Sequence, residues 1–331
     1  MDEGISLLSK DHELIELSQL ANDFAHSARA LNTRRAYASD WRDFQFWCHS
    51  KNLSLLPAHP LTVALYLSDR ASNAWIDLKG GRRKPLKTSS LQRRLSAIKT
   101  AHSMAQEPFD KHHPALSETW KGIQKSLGVA PQGKSPLTID DLKALIDHLD
   151  GGSLIEARDR AILLLGFAGA FRRSELVAIT IEDLSFPKEG CLVHLRRSKT
   201  DQSGAGRIIA IPYGSNPLTC PVRTLQEWIA ASALSNGPLF RRIDRHGHLG
   251  AHPLSDRSVA LIIKRNGYLK ERSASYAGHS LRAGFATTAA QNGASEHAIM
   301  QQTGHRKSDT LRKYIRISSL WKENAATKLG L

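Results

Sequence analysis

Apolar residues in the first third of the chain recur with helical spacing. From Thr33, a residue suited to an N-cap, Tyr37, Trp41, Phe44 and Trp47 follow at intervals of four, three and three, which places them on one stripe of a helix. Val63, Tyr66 and Leu67 form a second stripe after Pro60, and Leu91, Leu95 and Ile98 a third within TSSLQRRLSAIKTAHSMA. Between these two, Lys79 to Lys87 reads as a basic, glycine-containing loop. The face opposite the third stripe is expected to present Arg93, Arg94 and Lys99.

The helical pattern breaks at GVAPQGKSP, residues 128–136, whose composition suits an exposed linker, so the domains are expected at 1–130 and 131–331. Immediately afterwards Thr138 and Asp141 have capping-box spacing, with Leu137 and Leu142 placed to staple the new helix. A helix through ARDRAILLLGFAG follows. Two apolar runs, CLVHLRR and RIIAIP, flank the polar KTDQSGAG and predict a hairpin. From about Pro221 the remainder reads as mostly helical, through VRTLQEWIAASAL, SDRSVALIIKRNG, HSLRAGFATTAAQNG, EHAIMQQTG and SDTLRKYIRI. The fold class is therefore mainly α with a small antiparallel β element, in two domains.

With 41% hydrophobic residues in 331, the chain can build real cores, which excludes a disordered basic tail as its main content. Forty-six Lys and Arg against 31 Asp and Glu leave a formal charge of +15, carried on folded surfaces, and a pI near 9.9. Such an excess points to a polyanionic partner, most simply nucleic acid. Seven positive groups, Arg82, Arg83, Lys84, Lys87, Arg93, Arg94 and Lys99, lie in one acid-free stretch, and with Arg34 they are the expected phosphate contacts. Cys48, Cys191 and Cys220 have neither disulfide-framework nor zinc-site spacing and read as reduced structural thiols. No apolar run reaches the length of a membrane span and the acidic start lacks signal-peptide order, so a cytoplasmic, nucleoid-associated protein is expected.

The chemistry concentrates near the C-terminus, in YAGHSLRAGFAT and TGHRKSDTLRKYIR. His279 and Arg282, three apart, project from one helical face and can address one anion. His305 and Tyr314, nine apart, would face opposite ways on one continuous helix, but Gly304 can end one helix and Ser308 begin another, folding Tyr314 back toward His305. No Walker loop, dinucleotide fingerprint or persuasive carboxylate pair is present, so neither a cofactor nor a metal is expected.

Arg172 in GAFRRSEL, Lys199 in RRSKTDQ, His279-x-x-Arg282, Gly304-His305 and Tyr314, taken in order, resemble the active-site signature of the tyrosine recombinases, the phage-integrase and Cre-like enzymes. The N-terminal WRDFQFWC and KTSSLQRRL segments also resemble the core-binding domain of the Cre-like members. This resemblance implies a C-shaped clamp of a helical core-binding domain and a catalytic domain, and the family register favours Arg172 over Arg173. It implies Arg172 and Arg282 as the phosphate clamp and Tyr314 as the nucleophile. His279 would accept the tyrosine proton and Lys199 would act as general acid. His305 would be a further phosphate hydrogen bond, and Glu175 would orient the clamp or the neighbouring histidine. It implies double-stranded DNA with a specific core site as partner, a homodimer on one site and a homotetramer in the synapse.

One departure from the family is Ala283-Gly284, where many bacterial members have His and a small hydroxyl residue. The tail SLWKENAATKLGL, apolar at Leu320, Trp321 and Leu329, suits docking on a neighbouring protomer. Rival readings are a type IB topoisomerase relaxing DNA as a monomer, a non-catalytic DNA-binding regulator and a structural nucleoid protein.

Overall fold

The structure, a computed structural model, describes residues 14–17, 20, 31–129, 135–149, 152–196, 206–265, 276–305, 308 and 329. The chain divides into two compact units, Met1–Gln132 and Gly133–Leu331. Among the described residues no helix is long and apolar enough to cross a membrane.

The first unit comprises α1 (Leu31–Ser50), α2 (Pro60–Ser72), a ribbon of β1 (Trp75–Ile76) and β2 (Arg82–Arg83), α3 (Thr88–Met104) and α4 (Pro114–Leu127). Phe44, Trp47, Val63, Tyr66, Leu67, Leu91 and Ile98, from the three predicted stripes, fill its core together with Leu116 and Ile123 of α4. Thr33 lies inside α1 and does not cap it. The expected basic loop contributes β2 to an antiparallel ribbon in which Trp75 faces Arg83 and Ile76 faces Arg82. Asp77 closes its turn by accepting from the backbone N–H of Lys79 (2.9 Å) and Gly81 (2.8 Å) and from Arg83 Nε (2.7 Å).

Arg94 corrects the expected face of α3. It is three residues after Leu91 and four before Ile98, so it belongs to the apolar stripe and is buried with them. Its Nε donates to Asp43 (3.1 Å) and its Nη1 to Asp40 (3.0 Å), while Arg70 pairs with the other oxygen of Asp43 at 3.1 Å. Arg93 forks onto Asp40 at 2.7 and 3.1 Å with half its side chain exposed. The stretch was acid-free only locally, because α1 supplies its carboxylates from about fifty residues upstream. Arg34, Arg82, Arg83, Lys84, Lys87 and Lys99 are exposed, Arg83 being paired with Asp77.

Arg94→Ala should therefore act on folding, costing about 1.5–3 kcal/mol, because charge-assisted hydrogen bonds to two buried carboxylates are lost although Arg70 and Arg93 still pair with them. Arg82→Ala and Lys84→Ala should hold stability within about 0.5 kcal/mol and each reduce the salt slope of DNA binding by about one. Urea titration and binding at several salt concentrations separate the two behaviours. A stable Arg94→Ala protein with weakened DNA binding would reverse the assignment.

The second unit runs α5 (Ile139–Asp147), α6 (Leu154–Ala168), α7 (Arg173–Leu176), β3 (Leu184–Ser185), β4 (Gly190–Leu195), β5 (Arg207–Pro212), α8 (Pro221–Ser232), β6 (Arg241–Ile243), β7 (Leu249–Pro253), α9 (Asp256–Arg265), α10 (Ser280–Gln291) and α11 (Glu296–Thr303). The predicted hairpin is β4–β5, antiparallel with Leu195 opposite Arg207, and β3 extends it to three strands. The β6–β7 hairpin lies between the expected helices VRTLQEWIAASAL and SDRSVALIIKRNG, where no element is predicted, and its turn is closed by Asp244, which accepts from the N–H groups of His246 and His248. Residues 161–167 of α6 are apolar or glycine, and nearly all its sides are covered, as its continuous apolar run requires. Thr138 caps α5 by accepting from the Asp141 N–H at 3.1 Å, but the Asp141 carboxylate accepts from Tyr276 instead of turning back, so the expected reciprocal box is half made. The three cysteines are free and buried, and burial raises the Cys48 and Cys191 thiols to about 11.

Candidate active site

Arg172 is placed by the way α6 ends. Gly169 and Ala170 close that helix by donating to Leu165 and Phe167, and Ala170 adopts a left-handed φ of 48° that turns the chain sharply. Arg172 then precedes the short helix α7, and Glu175 at the third position of that turn reaches back to it. Glu175 accepts from the Arg172 backbone N–H (2.9 Å) and from its Nη1 (2.5 Å), while itself only 2% exposed. The carboxylate thus fixes both the main chain and the guanidinium of one residue. The neighbouring Arg173 takes another course: its stem crosses Gly278, where an added Cβ would lie 1.6 Å from Arg173 Cδ, and its head is 3.8 Å from Asp256.

Arg282 stands in the first turn of α10 and is 1% exposed, with Nη1 donating to the Ala170 carbonyl at 2.7 Å. The sharp turn that precedes Arg172 therefore also holds Arg282. The start of α10 is secured by the Ala277 N–H donating to Ser280 Oγ (3.0 Å), and the Leu137 N–H donates to the Ser280 carbonyl (3.0 Å). One turn later Gly284 meets the same segment, where a Cβ would stand 2.0 Å from the Leu137 carbonyl oxygen. The family departure at Ala283-Gly284 thus has a packing reason: only glycine lets α10 approach the chain ahead of α5 this closely.

Gly304 ends α11 in the left-handed conformation expected of it, φ 65° and ψ 35°, and its N–H donates to Met300 at 2.7 Å. The reversal delivers His305, whose Nδ1 is 2.9 Å from Thr303 Oγ1. Thr303 donates to the Ile299 carbonyl at 2.7 Å, which leaves its oxygen to accept from Nδ1–H. Rotation of that hydroxyl toward Nδ1 selects the other tautomer, whose Nε2–H can donate to a phosphate.

Electrostatics places four of the expected catalytic residues in one locale. Burial, then the charges of Arg282, Arg172 and Arg173, hold His279 below the ordinary histidine value. Burial, then Arg282, Arg172, His279 and Arg207, lower His305 to about 4. Guanidinium groups that outnumber the carboxylates beside them, gathered around two imidazoles whose protonation they oppose, make a field that favours an anion. Lys199, Tyr314, Leu320 and Trp321, and the expected helix at SDTLRKYIRI apart from Ser308, lie outside the described residues; Leu329 is exposed.

The model of the phage integrase family matches residues 136–319. The chain is 39% identical over 318 residues to the integrase/recombinase xerD homolog of Selenomonas ruminantium, covering 95% of this chain and 89% of that protein. It is 25% identical over 306 residues to recombinase cre of Escherichia phage P1, covering 86% and 84%. The chain belongs to the phage integrase family and is a tyrosine recombinase. In fold, the recombinase is similar to XerH site-specific recombinase in a post-cleavage complex with palindromic difH substrate, with a TM-score of 0.61 at 18% identity over 88% of this chain and 78% of that one.

Two further side chains of the recombinase bear on the site. Tyr276 is 3% exposed and donates to Asp141 at 2.8 Å, which commits its hydroxyl to packing α5 against the start of α10. Arg207, not among the expected site residues, acts electrostatically on His305 and stands 3.8 Å from Glu175. Its signal in the sequence is strand alternation: Arg207 has the same parity as Ile209 and Ile211, which face the core.

The lowered His305 value has a measurable sign. A proton binds His305 more weakly in the folded chain (about 4) than in the unfolded one (about 6.5), so its contribution to stability is complete above about 6.5 and is lost as pH falls to about 4. The C2–H resonance of His305 should titrate near 4 and show no inflection between 6 and 8. A midpoint near 6.5 would mean that neither burial nor the neighbouring arginines act on this ring.

Proposed function

We propose that this recombinase cleaves and rejoins duplex DNA at a specific core site through a 3′-phosphotyrosine on Tyr314. The observation that supports this reading is that Arg172 and Arg282, each held by a partner, both act electrostatically on His279 and His305. A phosphodiester in transfer gathers charge on its non-bridging oxygens, and preorganised guanidinium groups lower that barrier because they need no reorientation as the charge develops.

In the forward step the Tyr314 oxygen forms a bond to phosphorus as the bond to the 5′ oxygen breaks. A free phenol has a pKa of about 10, so the attack needs an acceptor. His279, held neutral by its surroundings, is suited to take that proton, and Lys199 to give one to the departing 5′ oxygen. His305 donates to a non-bridging oxygen in its Nε2–H tautomer. Attack of a 5′ hydroxyl on the phosphotyrosine reverses each transfer and releases the tyrosine, with no external energy source, cofactor or metal needed. Exposed Arg34, Arg82, Arg83, Lys84, Lys87, Arg93 and Lys99 would supply salt-sensitive contacts to the DNA backbone.

Two protomers would occupy one core site and four would form the synapse. The experiment that tests the reading traps covalent adducts in cells, maps the attached DNA ends genome-wide and incubates the protein with nicked duplexes bearing the recovered site. Recurrent 3′-linked ends at one short sequence are expected, and binding without adducts would leave a DNA-binding regulator.

A further inference from the structure

Arg207 joins three parts of the site that come from distant stretches of sequence. It is the first residue of β5 and pairs across the ladder with Leu195, so it stands at the end of the β4–β5 pair. Its Nη1 donates to the carbonyls of Gln302 (3.1 Å) and Gln301 (3.4 Å) in the last turn of α11, the helix whose end presents His305. Its Nη2 is 3.8 Å from Glu175, which holds the main chain and the guanidinium of Arg172.

The guanidinium is also closely enclosed. Nε and Nη2 are buried without a hydrogen-bond partner among the described residues, and a Cβ at Gly304 would come within 2.7 Å of Nη1. Gly304 thus serves two needs at once, the left-handed cap of α11 and the space under which Arg207 passes. A cation enclosed this way is costly unless its surroundings use it. Here it meets the negative end of a helix and a buried carboxylate that would otherwise have one partner.

We propose that Arg207 is a positioning residue for phosphoryl transfer, locking the Glu175–Arg172 pair and the His305-bearing end of α11 to the end of the β4–β5 ladder. Its fork is required because one head group must address Glu175 and two carbonyls in different directions; a lysine provides charge without that geometry. Without Arg207, Glu175 would keep Arg172 but lose the strut that sets its own position, and the end of α11 would lose its link to Glu175. Gln302 would still tie α11 to α6 and β5 through the Ala168 (3.0 Å) and Ala210 (3.2 Å) carbonyls, so the helix should remain docked. The expected consequence is misaligned catalytic groups in a folded protein.

This assignment rests on the phosphotyrosine reading, and single-turnover cleavage of a nicked duplex carrying the mapped core site tests the two separately. Arg207→Met should cleave about 30- to 100-fold more slowly, with DNA affinity within about 3-fold of wild type, the scale seen when partners that orient reacting groups are removed. Arg207→Lys should recover only part of the rate, and it provides the measurement if the methionine variant fails to fold. A merely structural role would not produce the coupling that a double-variant cycle measures. If Arg207 acts through Glu175, adding Arg207→Met to Glu175→Gln should slow cleavage by less than about 3-fold further. Independent, multiplicative losses, or wild-type cleavage by Arg207→Met, would overturn the assignment while wild-type adducts uphold the phosphotyrosine reading. Absence of any adduct from the wild-type protein would overturn both.

Discussion

Tyr314→Phe should bind its core site as tightly as the wild-type chain and form no covalent complex with a nicked substrate, its cleavage falling below detection. The substitution removes one oxygen, the atom proposed to bond to phosphorus, and retains the ring. Lys and Arg contacts spread along the backbone set affinity, so loss of the phenol should change Kd by less than about 2-fold. Electrophoresis under denaturing conditions reads the adduct directly. Tyr276 cannot take over, because its hydroxyl is buried and donates to Asp141. A persistent adduct of normal yield would assign the nucleophile to a different residue.

Loss of either clamp arginine should produce the next largest effect, about 10²- to 10³-fold or more in single-turnover cleavage, comparable with removing a preorganised donor to a developing charge. Affinity should fall by less than about 3-fold, since one phosphate contact among many is removed. The two positions should differ in stability. Arg172 is partly exposed, whereas Arg282 is buried and donates to the Ala170 carbonyl. Arg282→Lys, which keeps the charge but not the fork, is therefore the cleaner probe there, and Arg172→Ala the cleaner one at the other position. Quench-flow cleavage together with equilibrium binding checks both. Equal losses of rate and affinity would mean that the arginines hold DNA and do not stabilise the transition state.

The sequence was most informative where a single element decides the outcome. Stripes of apolar residues identify the three helices that form most of the first core, and the apolar runs CLVHLRR and RIIAIP on either side of a polar, glycine-rich segment identify β4 and β5. Gly304 announced the cap that delivers His305, and the three-residue spacing of His279 and Arg282 put them at the start of one helix. What remained hidden depends on partners distant in sequence. Arg94 read as a surface cation because its carboxylates are on α1, although its spacing from Leu91 and Ile98 already placed it on the apolar face. Arg207 is illegible in the sequence for the same reason: Glu175 and the end of α11 meet it only in the folded chain. Gly284 is explained by Leu137, which lies against it only in the folded chain, and β6–β7 leaves no sequence signal because three- and five-residue strands are too short to establish a period.

Identification of the amino acid joined to DNA tests the central claim most directly. Covalent complex trapped on a nicked core-site duplex should be digested with nuclease and protease, and the modified peptide sequenced by mass spectrometry. The predicted product is the peptide containing Tyr314, with a 3′-linked nucleotide on its phenolic oxygen. A nucleotide attached to any other residue, or linked through its 5′ phosphate, would contradict the account.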